Sequence, residues 1–221
     1  MTRIILERVE PFEKAFARLR ESPLEQAGDE KILIYRDANI RLARFYAAEL
    51  NPTSLYVLNS KLEFQLNLRI YLRDRYQIDT FDPPGILHLR NEEGKLEAMF
   101  PPFVEFYPER LRILPKKGDN APPKEQTLLT PVMKDGIHRA YDAYRNNEPI
   151  FCIVVSGALA EPRPYAYPNA WDEIKVCDKI PPLKKYYRRK DSYTFMRPLT
   201  MLRQTDETPV PPQYGRTDEK K

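Results

Sequence analysis

The run Asp135-Gly136-Ile137-His138-Arg139 puts an acid, a flexible backbone position, an imidazole and a guanidinium into five residues. Such a set suits an anionic ligand. Gly136 lets the chain turn tightly and approach a phosphate closely. If a helix follows, its first turn offers unpaired N–H groups and the positive end of its dipole. Arg139 supplies a planar fork for two phosphate oxygens, and His138 donates a hydrogen bond or exchanges a proton near neutral pH. Asp135 can hold a metal ion or accept a proton from a hydroxyl. The plainer reading is that Asp-Gly is a common turn, the acid a cap and Arg139 a solvated side chain.

A second group is basic and aromatic. The segment Lys184-Lys185-Tyr186-Tyr187-Arg188-Arg189-Lys190 can hold a DNA or RNA strand, with phosphates on the cations and bases stacked on the rings. It can equally lay its tyrosines on the core and leave the basic heads in water, or send some of them to the phosphate site. Glu105, in PPFVEFYPE, is a candidate base or metal ligand from a neighbouring strand, or else the polar side of an edge strand. Tyr165, Tyr167 and Trp171 read as a stacking wall for a nucleobase or as packing anchors. His88 alternates with Leu87 and Leu89, as a strand histidine with a local hydrogen bond does.

The elements that position these residues follow from periodicity. FCIVVSG (151–157) is a continuous apolar run, the mark of a strand buried on both faces. With LLTPVM (128–133) before the Asp-Gly turn and a helical AYDAYRNN after it, the segment reads as strand, turn, helix and strand, an α/β unit. In such sheets ligands bind beyond the carboxyl ends of strands, where this turn lies. ILHLRN and LEAMF around Glu93-Gly94 read as a hairpin. Residues 3–21 have helical spacing interrupted by Pro11, Asp37 is placed to cap a helix running to Leu50, and Ser60-x-x-Glu63 opens a helix to about Tyr76. The chain thus divides into a helical N-terminal portion (1–80), an α/β core (81–160), a proline-rich wrapped extension with the basic segment (161–204) and a disordered tail (205–221).

The stretch LTPVMKDGIHRAYDAYRNNEPIFCIVVSG resembles the core of the ParB/sulfiredoxin superfamily, in which a strand leads into a G-x-[HR]-R turn and a helix. The likeness is good over about 30 residues, looser over 86–157, and silent on the first 80. It implies an α/β (α+β) fold with a mixed sheet. It also implies a nucleoside triphosphate, ATP or CTP, with its phosphates on Gly136, His138 and Arg139, and Mg²⁺ at Asp135. NTPase or phosphotransferase chemistry would then rest on Asp135, His138, Arg139 and Glu105. Ile137 stands where sulfiredoxins carry their nucleophilic cysteine, so sulfinic-acid reduction is not expected. Partition proteins carry a helix-turn-helix after this core, whereas the sequence beyond Gly157 is proline-rich. A DNA- or RNA-binding regulator acting through 184–203, or an interaction module without catalysis, are the alternatives.

Composition removes other classes. The chain of 221 residues has two His and two Cys, no CxxC and no HExxH, against the usual zinc sites. None of its seven glycines falls in G-x-G or in a P-loop pattern. Between 184 and 203 stand seven basic residues and one acid, a net +6, so the formal +4 leaves −2 on the rest. The N-terminus lacks the apolar core of a signal peptide and no apolar run is long enough to span a bilayer, so a cytoplasmic protein without membrane contact is expected. Cys152 reads as a small core residue.

Overall fold

The computed structural model describes residues 4–23, 32–91, 93–113, 122–159 and 166–188. Among these, three helices and ten strands form a mixed α+β fold. The central sheet has five strands in the order β2-β9-β7-β8-β3: β2 (Asn39–Tyr46), β3 (Asn51–Pro52), β7 (Phe103–Ile113), β8 (Lys124–Asp135) and β9 (Pro149–Ser156). β7 runs parallel to β9 and antiparallel to β8, and β3 runs parallel to β8. A three-stranded sheet, β1 (Ile5–Glu10), β5 (Ile86–Arg90) and β6 (Leu96–Met99), is antiparallel throughout. The hairpin expected over 86–100 is its β5-β6 pair, which ends at Met99.

Helix α3 (Ile137–Asn146) joins β8 to β9, but the two strands are not neighbours and run in opposite directions, with β7 between them. The helix therefore caps the carboxyl end of β8 and crosses β7. Its buried face is small, Ala140 and Ala143, and packs on Val104, Met133, Cys152 and Val154. Short side chains let the helix lie close to the sheet, and Asn147, with φ 52°, ends it in the left-handed region. Helix α1 (Phe12–Glu21) covers the other face, where Ala15 and Leu19 meet Phe103, Ile153 and Val155.

Residues 39–46 are a strand and not the helix expected from Asp37 to Leu50. The spacing of Ile40, Ala43, Ala47 and Leu50 suits a helix, but Leu42 and Phe45 break it. In the strand, Ile40 and Leu42 face the α1 side and Ala43 and Phe45 the α3 side. All eight residues pair with β9, from Asn39 opposite Ser156 to Tyr46 opposite Pro149, and this long-range pairing overrides a local preference. The N-terminal 80 residues are thus mixed, giving strands to the five-stranded and three-stranded sheets and β4 (Tyr56–Leu58) to a two-stranded one, with helix at α1 and α2 (Asn59–Tyr76). In α2 the alternating apolar pattern yields to the helical one: Leu68 and Leu72, four apart, are its buried apolar positions, with Arg69 buried beside them.

The extension after β9 wraps back over the N-terminal part. Trp171 is buried, donates from Nε1 to the Ala47 carbonyl at 2.6 Å, and stacks on Tyr144 with ring centres 5.2 Å apart. β10 (Lys175–Cys177) adds in parallel to β4 (Tyr56–Leu58). The Lys184 carbonyl then accepts from the Leu55 N–H, which seats residues 183–188 on the body. Trp171 is a packing anchor, and Tyr165 lies outside the described residues, as does the 205–221 tail.

Candidate functional site

The turn at residues 135–139 is built tightly. Gly136 has φ 87°, and a Cβ there would sit 2.7 Å from the Cα of Pro102. No other residue type satisfies both constraints without strain. Asp135 Oδ1 accepts from the Gly136 N–H at 2.7 Å, and the Gly136 carbonyl accepts the first helical bond, from Ala140.

The two side chains that follow point in different directions. Arg139 is buried and donates from Nη2 to the Phe100 carbonyl at 2.5 Å, fastening the helix start to the segment before β7. His138 Nε2 accepts the Leu58 N–H at 3.0 Å, at the beginning of α2, which fixes the tautomer with its proton on Nδ1. Burial, and then the Lys61 ammonium, push this imidazole down to about 4 against the pull of Asp135. It is a neutral ring at physiological pH.

Glu105 is fully buried, and the Tyr35 hydroxyl donates to its Oε2 at 3.1 Å. Its neighbour Val104 faces α3, so Glu105 faces the opposite side of the sheet. Tyr107 and Glu109, two and four residues further on, share its face, and there the basic segment arrives. Arg188 Nη2 donates to Glu109 Oε1 at 3.1 Å and lies 5.8 Å from the Tyr107 ring centre and 4.4 Å from that of Tyr167.

This docking brings cations together. The Lys134 ammonium nitrogen is buried, and burial, then the charges of Lys185 and Arg188, push it down to about 7. Burial likewise pushes Lys185 down to about 8, although Asp135 attracts its charge. Asp135 is thus felt from both sides, by His138 under α3 and by Lys185 on the other face. Lys134 escaped the sequence reading, although a lysine between an apolar strand end and an Asp-Gly turn is a visible signal. Of the basic run, Lys184, Tyr186 and Tyr187 are exposed, whereas Arg189 and Lys190 lie outside the described residues.

Among the described residues no three His, Cys, Asp or Glu side chains converge as a metal cage. Asp135 is the one carboxylate at the turn, and that suffices for a magnesium ion brought in on phosphates, which takes one or two protein carboxylates. His88 is buried on β5 with Nε2 2.8 Å from Glu10 Oε2, a structural pair away from the turn. Burial pushes the Cys152 thiol up to about 12, which keeps it an inert core residue. No helix among the described residues is long and apolar enough to cross a membrane.

Comparison with known proteins agrees with the resemblance carried by the Asp-Gly turn. Neither the curated proteins nor the solved structures contain a match to the chain. The family model described as the ParB CE domain matches residues 15–175, which takes in most of α1, the whole central sheet, the 135–139 turn and the extension as far as the first residue of β10. That match spans well over half of the sequence, so the chain belongs to the ParB CE domain family.

Proposed function

We propose that this ParB-family chain binds a nucleoside triphosphate, ATP or CTP, with its phosphates at the 135–139 turn. The observation that carries the reading is the approach of Lys185 to Asp135 at the carboxyl end of β8, with the buried Lys134 ammonium near enough to feel the charge of Lys185. Burying the Lys134 and Lys185 ammonium groups near each other disfavours their charged forms, and an anionic ligand offsets that cost. The helix N-terminus behind Gly136 adds backbone donors to the same place.

In this reading Lys134 and Lys185 take the phosphate oxygens, together with the α3 N–H groups. Arg139 and His138 act mainly as positioning residues, the first through Phe100 and the second through Leu58, and the Nδ1–H of His138 is a further donor. Asp135 would hold Mg²⁺ carried by the phosphates, and that ion would neutralise charge on the terminal phosphoryl group. NTPase or phosphotransferase activity would use Asp135 to accept the proton of the attacking hydroxyl or water. Glu105, on the far side of β7 from α3, would act only on a ligand that extends over the Tyr107 face.

The test is equilibrium titration of the full chain with ATP, ADP, CTP and GTP, with and without Mg²⁺. Binding by at least one triphosphate, weakened tenfold or more by Lys134→Ala and by Lys185→Ala, is the expected result. No binding of any nucleotide would refute the reading.

A second reading, DNA or RNA along 184–203, is favoured by the exposure of Tyr186 and Tyr187 beside Lys184. Against it, Lys185 and Arg188 are turned toward the body. It predicts binding that falls steeply with salt and with Arg188→Ala plus Arg189→Ala.

A further inference from the structure

Beside the cationic cluster the wrapped extension forms a shallow groove of about 560 Å³, lined among others by Tyr167, Asn169, Glu173, Lys185, Tyr186 and Tyr187. Its three tyrosines are each close to half exposed: Tyr167 45%, Tyr186 51% and Tyr187 45%. Aromatic rings left this open on a folded segment present faces that water covers poorly.

The groove is well ordered from below. The Tyr167 N–H donates to the Tyr186 carbonyl at 2.9 Å, and Ala166 forms an isolated antiparallel bridge with Tyr187, so the two tyrosine-bearing segments are locked together. The Arg188 guanidinium stands 4.4 Å from the centre of the Tyr167 ring and holds that ring in place. Asn169, whose backbone N–H donates to the Pro52 carbonyl at 2.8 Å, fixes the remaining wall. Polar groups line it as well: Asn169, whose Nδ2 donates to the Pro52 carbonyl at 3.4 Å, and Glu173, whose Oε2 accepts the Ala170 N–H at 3.1 Å.

Lys185 connects the groove to the turn. It lines the groove and is drawn to Asp135 and repelled by Lys134. A ligand with phosphates at the cluster therefore has the groove within the reach of one lysine side chain.

We infer that this groove takes the base of the bound nucleotide, stacked on Tyr186 or Tyr187 with its polar edge toward Asn169 and Glu173. This rests on the proposed phosphate site and adds the part of the ligand that distinguishes a nucleotide from a bare polyphosphate. Stacking on an aromatic side chain is sequence-tolerant, so Glu173 and Asn169, one an acceptor and one an amide, set the base preference.

The experiment compares inorganic tripolyphosphate with ATP and CTP on the full chain, its Tyr186→Ala and Tyr187→Ala variants, and Tyr186→Phe as the ring-retaining control. Far-ultraviolet circular dichroism and the melting temperature establish that each variant is folded. The inference expects the nucleotide to bind more tightly than tripolyphosphate. It expects one alanine variant to lose about 5- to 150-fold in nucleotide affinity, a stacked ring's contribution. Tripolyphosphate binding should be unchanged, and the phenylalanine variant should behave as the parent. Equal affinity of nucleotide and tripolyphosphate, with no effect of either alanine, overturns the base site and leaves the phosphate site standing. No binding of either ligand overturns both. Binding of a single-stranded oligonucleotide but of no mononucleotide also overturns the inference and assigns the tyrosines to nucleic acid.

Discussion

Replacing Lys134 by methionine should make the protein more stable and a poorer ligand binder. Its ammonium is held from 10.5 down to about 7, and at about 1.4 kcal/mol per unit the native state resists protonation by a ceiling of about 5 kcal/mol. Burial is the larger cause and the repulsion from Lys185 and Arg188 the smaller; relaxation and water penetration around the ammonium lower the real penalty, so about 2–3 kcal/mol is the expected gain at pH 7. The sign follows from linkage. The folded value lies below the unfolded one, so the destabilisation is complete below about pH 7 and disappears as pH approaches 10.5. Methionine fills a similar volume without charge. Urea denaturation of parent and Lys134→Met at pH 7 and at pH 10 measures the difference. A gain at pH 7 that has nearly vanished at pH 10, with weakened triphosphate binding at pH 7, is predicted. No gain, or a gain of equal size at both values, would show that Lys134 carries no electrostatic burden and would remove the main support for an anion site.

Other perturbations test the frame around the turn. Gly136→Ala places a Cβ 2.7 Å from Pro102 at a φ of 87°, and thermal unfolding should reveal a loss of about 2–4 kcal/mol. Arg139→Ala removes a buried guanidinium bonded to the Phe100 carbonyl. Chemical denaturation should report a loss of about 2–4 kcal/mol, and any residual triphosphate affinity measured on the folded fraction should stay within a few-fold of the parent. The His138 imidazole lies below its ordinary value, so its stabilising neutral form is retained above pH 6.5 and lost as pH falls through about 4. His138→Gln, which keeps an acceptor for Leu58 but cannot titrate, should show a smaller stability loss between those values, by about 1–2 kcal/mol once screening of this partly exposed ring is allowed for.

The turn was legible because its geometry is local. An Asp-Gly pair between an apolar strand and an amphipathic segment leaves few backbone options, and β8, Gly136 and α3 follow from it. The continuous run at 151–157 marked β9 for the same reason, since a strand buried on both faces has no alternation to hide. Residues 39–46 were misread because their partner lies more than a hundred positions away, and only pairing with β9 makes both faces of that segment useful. The separation of Glu105 from the turn depends on which face each β7 residue takes, and the sequence of one strand does not supply that. The docking of Lys185 and Arg188 beside Lys134 depends on a chain reversal through Trp171 and β10. Composition marked the basic segment, and only the fold shows where its charge is delivered.

The most direct measurement is the proton uptake that accompanies triphosphate binding, taken from calorimetric heats at pH 8 in buffers of different ionisation enthalpy. With Lys134 near 7 and Lys185 near 8, a phosphate group between them restores both ammonium ions. An uptake of roughly one to one and a half protons per ligand is predicted, falling by about one in Lys134→Met. Binding with no proton uptake, or uptake unchanged in that variant, would contradict a phosphate site at this turn.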